Sequence, residues 1–243
     1  MPRTVFGQMP STNAALPAAL DLLEGAYGPP PEPGVRDPWD QVLLDNVVYL
    51  ASDERRVEAF ELLRARVGTA PSALLESSVS ELRDVTRLGI RADAQARKLQ
   101  AAARLAVTQY EGDLSARLAA MSLAEARRAL RRFPAIGEPA ADRILLQSGL
   151  YAVPALDSNG LRVLVRLGLA QDAPSYAASY RSAIEVLRGT LPAERAPLLR
   201  GYLLLHMHGR ELCRRTAPAC GLCPLADRCA YAEKSLDPSR SLH

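Results

Sequence analysis

The sequence predicts an all-α protein built from two helical domains. Its composition is 48% hydrophobic but only 5% aromatic, and Ala and Leu, both strong helix formers, supply most of the apolar residues. Apolar residues recur at helical spacing along most of the chain, and we find no convincing strand pattern of alternating β-branched residues. At 243 residues the chain is long enough to bury a core in one large or two small domains.

The N-terminal segment carries one short apolar helix, predicted over residues 14–23. It is followed by GAYGPPPEPG, residues 25–34, whose four prolines and three glycines are poorly suited to a helix interior. We therefore expect a linker here and a domain boundary before Pro38.

The first helix after the linker is predicted to begin at Pro38, because proline suits a first helical turn. Its sequence, PWDQVLLDNVVYLASD, is almost wholly apolar apart from a few Asp and Asn residues, so we expect a helix buried on most sides. Helical periodicity then predicts four further helices, over 54–67, 72–76, 79–86 and 92–110.

The second half of the chain continues the helical pattern. Ser122 and Glu125 have the spacing of a capping box at a helix start. Residues 133–149 predict a hairpin followed by a helix that ends at Gly149. Asp157 is predicted to cap the next helix, and two more helices are expected over 176–190 and 196–212.

Charge and hydropathy exclude some classes of protein. No apolar run approaches the ~18 residues of a membrane span, and MPRTVFGQMPSTN has no signal-peptide core, so we expect a cytoplasmic protein without membrane contact, nucleoid-associated if bacterial. The net charge of +3 is compatible with nucleic-acid binding but does not establish it.

All four cysteines fall within one short stretch, in the order C-x6-C-x2-C-x5-C: Cys213, Cys220, Cys223 and Cys229. Four thiolates that converge on one point can hold a zinc ion or a [4Fe-4S] cluster. Zinc sites usually pair two short knuckles, whereas here only Cys220 and Cys223 form one, with His206 and His208 upstream. A zinc site stays an alternative, as does a disulfide pair, although disulfides are rare inside cells.

Led by HGR (residues 208–210), this cysteine spacing resembles the iron–sulfur loop of the endonuclease III-like DNA glycosylases, the helix-hairpin-helix superfamily of base excision repair. The resemblance implies a [4Fe-4S] cluster on the four cysteines, with Arg214 and Arg215 in a loop that meets DNA phosphates. It also implies double-stranded DNA with a damaged or mispaired base as the partner of a monomer. The expected domains are a helical barrel with the hairpin at 38–149, and a cluster domain made of 1–37 and 150–243.

The hairpin resembles the family's DNA-binding element at Pro134, Ala135, Ile136 and Gly137. Such a hairpin aims backbone N–H groups at a phosphate, and glycine permits a close approach. The family usually has a second glycine where Ala135 stands. Taken alone, a P-x-x-G turn between helices is common.

Asp157 resembles the family's catalytic aspartate, which follows the hairpin and opens the next helix. A carboxylate near the sugar can stabilise the oxocarbenium-like state or activate water. The alternative is a simple helix cap, and both roles can coexist.

Members of the family with lyase activity carry a lysine at the start of the second hairpin helix, where this chain has Pro139. The 30 basic residues include only two lysines, Lys98 and Lys234, and neither lies near the hairpin or Asp157 in the sequence. Since the lyase step needs an amine, we expect a monofunctional glycosylase or one with weak lyase activity.

Three further positions resemble residues that handle the flipped base. Asp45 matches a glutamate of mismatch-specific relatives and is a candidate to contact or protonate the base, with its pKa raised by burial; the alternative is a carboxylate paired to an arginine or a helix cap. Leu50 and Ile90 stand at positions whose side chains, in the family, fill the space that the flipped base leaves in the DNA. Their apolar character alone would instead predict that both are core residues. Asn159 stands where the family usually has a histidine, and it is a further candidate DNA-binding residue.

The sequence thus predicts an endonuclease III-like DNA N-glycosylase, with Asp157 and Asp45 as candidate catalytic residues. The alternative is a DNA- or damage-binding protein that keeps the glycosylase fold without catalysis.

Overall fold

The computed structural model describes residues 12–236, and every regular element in that range is a helix. The chain divides into two compact units. One unit contains residues up to Glu32 and from Ala152 onward, and the other contains Pro33–Tyr151.

The α-helices of the described residues are, in chain order, α1 (Thr12–Tyr27), α2 (Pro38–Val47), α3 (Asp53–Arg66), α4 (Pro71–Glu76), α5 (Val79–Thr86), α6 (Ala92–Tyr110), α7 (Leu114–Ala119), α8 (Leu123–Leu130), α9 (Glu138–Ser148), α10 (Ser158–Arg166), α11 (Tyr176–Thr190), α12 (Arg195–Glu211) and α13 (Ala230–Leu236). Two short 3-10 turns, Cys220–Leu222 and Ala226–Arg228, lie in the cysteine segment. Along these described residues, no helix is both long enough and apolar enough to cross a bilayer.

The unit of Pro33–Tyr151 is organised around α2 and α6. Helix α2 packs against α3, α6 and α9, and buries Val42, Leu43 and Val47 completely. The predicted start of this helix is confirmed: Pro38 occupies its first turn, and the Asp37 carboxylate accepts hydrogen bonds from the first backbone N–H groups. The predicted capping box at the start of α8 is also confirmed. These caps satisfy N–H groups that a helix start would otherwise leave without acceptors.

The other unit packs α1, α10, α11 and α12 around one apolar core. Leu16, Leu20 and Leu23 of α1 are fully buried in it. Cys213, Cys223 and Cys229 pack against the same core while keeping some exposure. The core therefore provides a fixed base for the cysteine segment.

Some predicted bounds need correction. Helix α1 continues to Tyr27, so the first residues of the predicted linker are helical. Gly25 weakens a helix only modestly, and the extension lets Tyr27 hydrogen bond to His208. The short helices α7 and α13 were not predicted. The predicted bounds of α5, α6 and α11 are confirmed.

Candidate functional site

Asp157 lies at the start of α10, and both oxygens of its carboxylate accept hydrogen bonds. Oδ1 accepts from the Gly160 backbone N–H at 2.8 Å, which confirms the predicted helix cap. Oδ2 accepts from the Asn159 amide at 3.0 Å and faces His206 Nδ1 at 2.7 Å. Burial alone would raise the pKa of Asp157, but these donors, with the hydrogen bond from His206 foremost, hold the pKa below its ordinary value. The group is therefore a carboxylate at neutral pH.

His206 is the functional candidate that the sequence did not reveal. It lies on α12, and 49 positions separate it from Asp157, so no local motif links the two. The sequence drew attention to His206 only as a neighbour of the cysteines. Its ring stacks on Tyr202 at 6.1 Å between centroids.

Two arginines of α10 join the carboxylate to the cysteine segment. Arg162 donates from Nη2 to the Asn159 side-chain oxygen at 2.8 Å and from Nε to the Cys213 carbonyl at 2.8 Å. Arg166 donates to the Arg214 carbonyl at 2.7 Å and to the Cys213 sulfur at 3.4 Å. The orientation of Asn159, and through it the Asp157 carboxylate, is thereby tied to the segment that carries the first cysteine.

The four cysteines are free thiols, so the disulfide alternative is wrong. All four line one small apolar cavity. Burial raises the pKa of the Cys220 thiol, and the nearby thiolates of Cys229 and Cys213 raise it further, because like charges oppose each other. Burial likewise raises the pKa of Cys223, and so do the charges of the other three cysteines, while the hydrogen bond from Leu225 N opposes them. The thiols are thus close enough for their charges to interact.

Cysteine thiolates are ligands that both a zinc ion and a [4Fe-4S] cluster accept. In the described residues, 12–236, no group of three or more His, Cys, Asp or Glu side chains is arranged to hold a metal ion. Backbone and side-chain N–H groups also face the sulfurs: Leu225 N lies 3.4 Å from Cys223 Sγ, and His208 Nε2 lies 3.5 Å from the same atom. N–H groups of this kind stabilise cluster thiolates.

His208 is almost completely buried, and both of its ring nitrogens have neighbours. Tyr27 lies 2.8 Å from Nδ1, on the side of the ring opposite Cys223. Burial lowers the pKa of His208 to about 4 and raises the pKa of Tyr27 to about 12, so both groups are neutral at physiological pH.

The hairpin presents fewer groups than the sequence suggested. Ile136 is buried, and its N–H bonds the Phe133 carbonyl at 3.3 Å, so Ile136 belongs to the turn and the core. The Pro134 carbonyl accepts from Asn46 at 2.8 Å. Ala135 and Gly137 are exposed. Ala135 has φ of 61°, the left-handed region that favours glycine, which agrees with a glycine being usual there in the similar family.

Asp45 has a charged partner. Arg143 on α9 donates to its Oδ2 at 2.5 Å, and Arg56 lies 4.0 Å from Oδ1. Arg143 also donates to Gln41 and Gln147. Asp45 therefore has the arginine partner that the sequence analysis gave as the alternative to a base-pocket role. The ion pair is enough to explain why a carboxylate is buried here. The base-pocket role stays a prediction.

Leu50 and Ile90 are exposed by 73% and 50%, so composition was a wrong guide to both. Their loops are joined: Ile90 N donates to the Tyr49 carbonyl at 3.2 Å, and a Cβ on Gly89 would lie 2.9 Å from the Tyr49 backbone. Two apolar side chains thus project from one pair of bonded loops.

A basic groove of about 1160 Å³ lies beside Asn159. Its charged lining is almost entirely cationic and includes the predicted Arg214 and Arg215: Arg162, Arg166, Arg210, Arg214, Arg215 and Lys234, with Asp172 as the acid. Lys234, distant from Asp157 in the sequence, therefore shares a groove with the start of α10. Such a groove can accept a polyanion.

No family model matches the chain. Endonuclease III of Sulfolobus acidocaldarius is 25% identical over 197 residues, which cover 81% of this chain and 83% of the relative. Thymine/uracil-DNA glycosylase of Pyrobaculum aerophilum is 23% identical over 200 residues, 82% of each chain. The structure of a trapped endonuclease III–DNA covalent intermediate has a TM-score of 0.77 at 19% identity and covers 93% of this chain and 99% of that chain. The fold is therefore that of endonuclease III.

Proposed function

We propose that this endonuclease III-like chain is a DNA N-glycosylase of base excision repair that removes a damaged or mispaired base and leaves the strand intact. The observation that carries the proposal is the Asp157 carboxylate, held ionised and bonded at both oxygens at the start of α10. The curated relatives named above are an endonuclease III and a thymine/uracil-DNA glycosylase, which supports the same class of reaction.

In the proposed reaction the bond between C1′ and the base nitrogen breaks, and the base leaves with the bonding electrons and takes up a proton. The Asp157 carboxylate stabilises the positive charge that develops on the sugar. Water then adds to C1′ and releases a proton. A carboxylate whose pKa is lowered is a weak base, so Asp157 acts chiefly through its negative charge.

The lack of an amine at the hairpin supports hydrolysis without strand cleavage. Pro139 lies in the first turn of α9 and offers no side-chain nitrogen. Lys98 lies over the Tyr49 ring at 5.8 Å, which leaves Lys234 in the basic groove as the lysine to test. Schiff-base chemistry requires such an amine.

We propose that Cys213, Cys220, Cys223 and Cys229 hold a [4Fe-4S] cluster. The cluster would supply structure to the segment that carries Arg214 and Arg215, two cations that line the groove. A brown protein that absorbs near ~400 nm and releases iron and acid-labile sulfide supports the cluster. A colourless protein that contains one equivalent of zinc supports the zinc alternative.

The deciding experiment is a single-turnover incubation with duplexes that each carry one defined lesion, mismatch or abasic site, with half of each sample treated with alkali. Breaks that appear only after alkali support the proposal and identify the substrate. Breaks without alkali indicate a lyase amine, and Lys234→Met then tests whether Lys234 supplies it. Tight binding without breaks in either half supports the non-catalytic alternative.

A further inference from the structure

His206 approaches Asp157 from a different helix and adds a contact that a helix cap does not need. The cap is complete with the bond from Gly160 N to Oδ1. The other oxygen, Oδ2, nevertheless has two side-chain neighbours, His206 Nδ1 at 2.7 Å and Asn159 Nδ2 at 3.0 Å. The Asp157 side chain keeps 26% of its surface exposed, so it stays open to a substrate.

The geometry around the pair is fixed on both sides. The Asn159 side-chain oxygen accepts from Arg162, so its amide nitrogen must point to Asp157. On the other side, the His206 ring stacks on Tyr202 with only 9° between the planes. The carboxylate therefore cannot rotate without losing bonds to elements that are themselves held.

We propose that His206 is a positioning residue for the carboxylate of Asp157, which it orients by donating a hydrogen bond from Nδ1 and whose effective charge it controls by its own protonation. This inference rests on the proposed glycosylase function. A neutral imidazole that donates from Nδ1 leaves the full negative charge available to the sugar. A protonated imidazole forms an ion pair that offsets part of that charge.

Two groups that face Asp157, Tyr176 and Arg162, keep their charge in the range where an imidazole titrates. Burial raises the pKa of Tyr176, which faces Asp157 from α11, so this phenol stays neutral. Tyr202 is a phenol that contacts His206 from α12. Arg162, which faces Asp157 from α10, remains a cation because arginine titrates far above neutral pH. On this inference, the excision rate should fall as the pH drops and the His206 imidazole takes up a proton.

Two substitutions separate the hydrogen bond from the charge. In His206→Asn the side-chain amide can replace Nδ1 as a donor but cannot take up a proton. In His206→Leu both the donor and the charge are lost. Single-turnover excision should slow about ten- to hundredfold in His206→Leu, the rate equivalent of one charge-assisted hydrogen bond.

His206→Asn should recover most of the rate at neutral pH and should lose the decline that the unmodified protein shows at acidic pH. The inference is overturned if His206→Leu keeps the full rate and the unmodified pH profile. It is equally overturned if His206→Asn is as slow as His206→Leu at every pH. That result would mean that a hydrogen-bond donor does not restore the rate and that His206 acts only by packing against Tyr202.

An NMR titration tests the pair without any catalytic assay. The pKa of the His206 imidazole is measured in the unmodified protein and in Asp157→Asn. Loss of the carboxylate should lower the His206 pKa, and an unchanged value overturns the inference. If no form of the protein excises a base from any duplex, the glycosylase proposal fails, and this titration still decides whether the pair exists.

Discussion

Gly209 on α12 lies against the backbone of Asn159 on α10, and a Cβ at Gly209 would lie 2.7 Å from the Asn159 carbonyl oxygen. The obstacle is backbone, so no side-chain rotation can relieve it. We expect Gly209→Ala to destabilise the protein by about 1–3 kcal/mol, because overpacking outweighs the gain in helix propensity. Thermal or urea unfolding measures the change.

Gly189 on α11 is the matched control, since a Cβ there would meet no atom within 4 Å. Gly189→Ala should be neutral or stabilise by up to about 1 kcal/mol. Equal effects at the two glycines would contradict the close approach of α12 to Asn159.

The two roles of Asp157 can be separated by substitution. Asparagine caps helices about as well as aspartate but carries no charge. We expect Asp157→Asn to abolish excision while its amide oxygen keeps the cap on Gly160, and Asp157→Ala to abolish excision and destabilise by about 1 kcal/mol more than Asp157→Asn. Single-turnover assays and unfolding curves on the same preparations make the comparison. Full activity in Asp157→Asn would leave Asp157 as a cap alone.

Much of this site was predictable because its residues lie close together in the sequence. The four cysteines, the Asp157 cap and the capping box at Ser122 are local patterns, and local hydrogen-bonding rules suffice for them. His206 and Arg143 could not be predicted in their roles, since each meets its carboxylate across a large separation in the chain. Leu50 and Ile90 look like core residues in the sequence, and only the fold places them at the surface.

The ion pair between Asp45 and Arg143 predicts a structural role for Asp45. Both side chains are largely buried, with 18% and 14% exposed. Asp45→Ala and Arg143→Ala should each destabilise by about 1.5–3 kcal/mol, and the double variant should lose less than the sum, because each single change leaves the other charge buried without this ion pair. A double-mutant cycle by urea unfolding measures the coupling. A large loss of excision rate in Asp45→Ala, with stability unchanged, would instead support the base-pocket role.

Replacing Ala135 with glycine should increase the stability of the protein. Its φ of 61° is unfavourable for a residue with a Cβ, and the side chain is exposed, so little packing is lost. Ala135→Gly should raise the free energy of unfolding by up to about 1 kcal/mol. Ala140→Gly, inside α9, is the control and should lower it by about 0.5–1 kcal/mol. A loss of stability in both variants would argue against strain at Ala135.

Leu50 and Ile90 are predicted to affect DNA binding and not folding. Truncation of either to alanine should change stability by less than about 0.5 kcal/mol because both side chains are exposed. If they fill the space left by a flipped base, each variant should bind a duplex with an abasic-site analogue several-fold more weakly. Val57→Ala, at a comparably exposed position on α3, should bind normally. Equal affinity in all three variants would exclude the role.

The division of the chain has a consequence for how the protein is made. The unit of Pro33–Tyr151 is continuous, whereas the other joins residues up to Glu32 with residues from Ala152 onward. On the ribosome the continuous unit is therefore complete while its neighbour still lacks α10, α11 and α12, against which α1 must bury its leucines. During synthesis, helix α1 can bury its leucines only after α10, α11 and α12 have been made. The four cysteines follow these helices in the chain and are synthesised later still. If the four thiols hold the proposed cluster, iron reaches them late, on a chain whose other unit has already had the opportunity to fold.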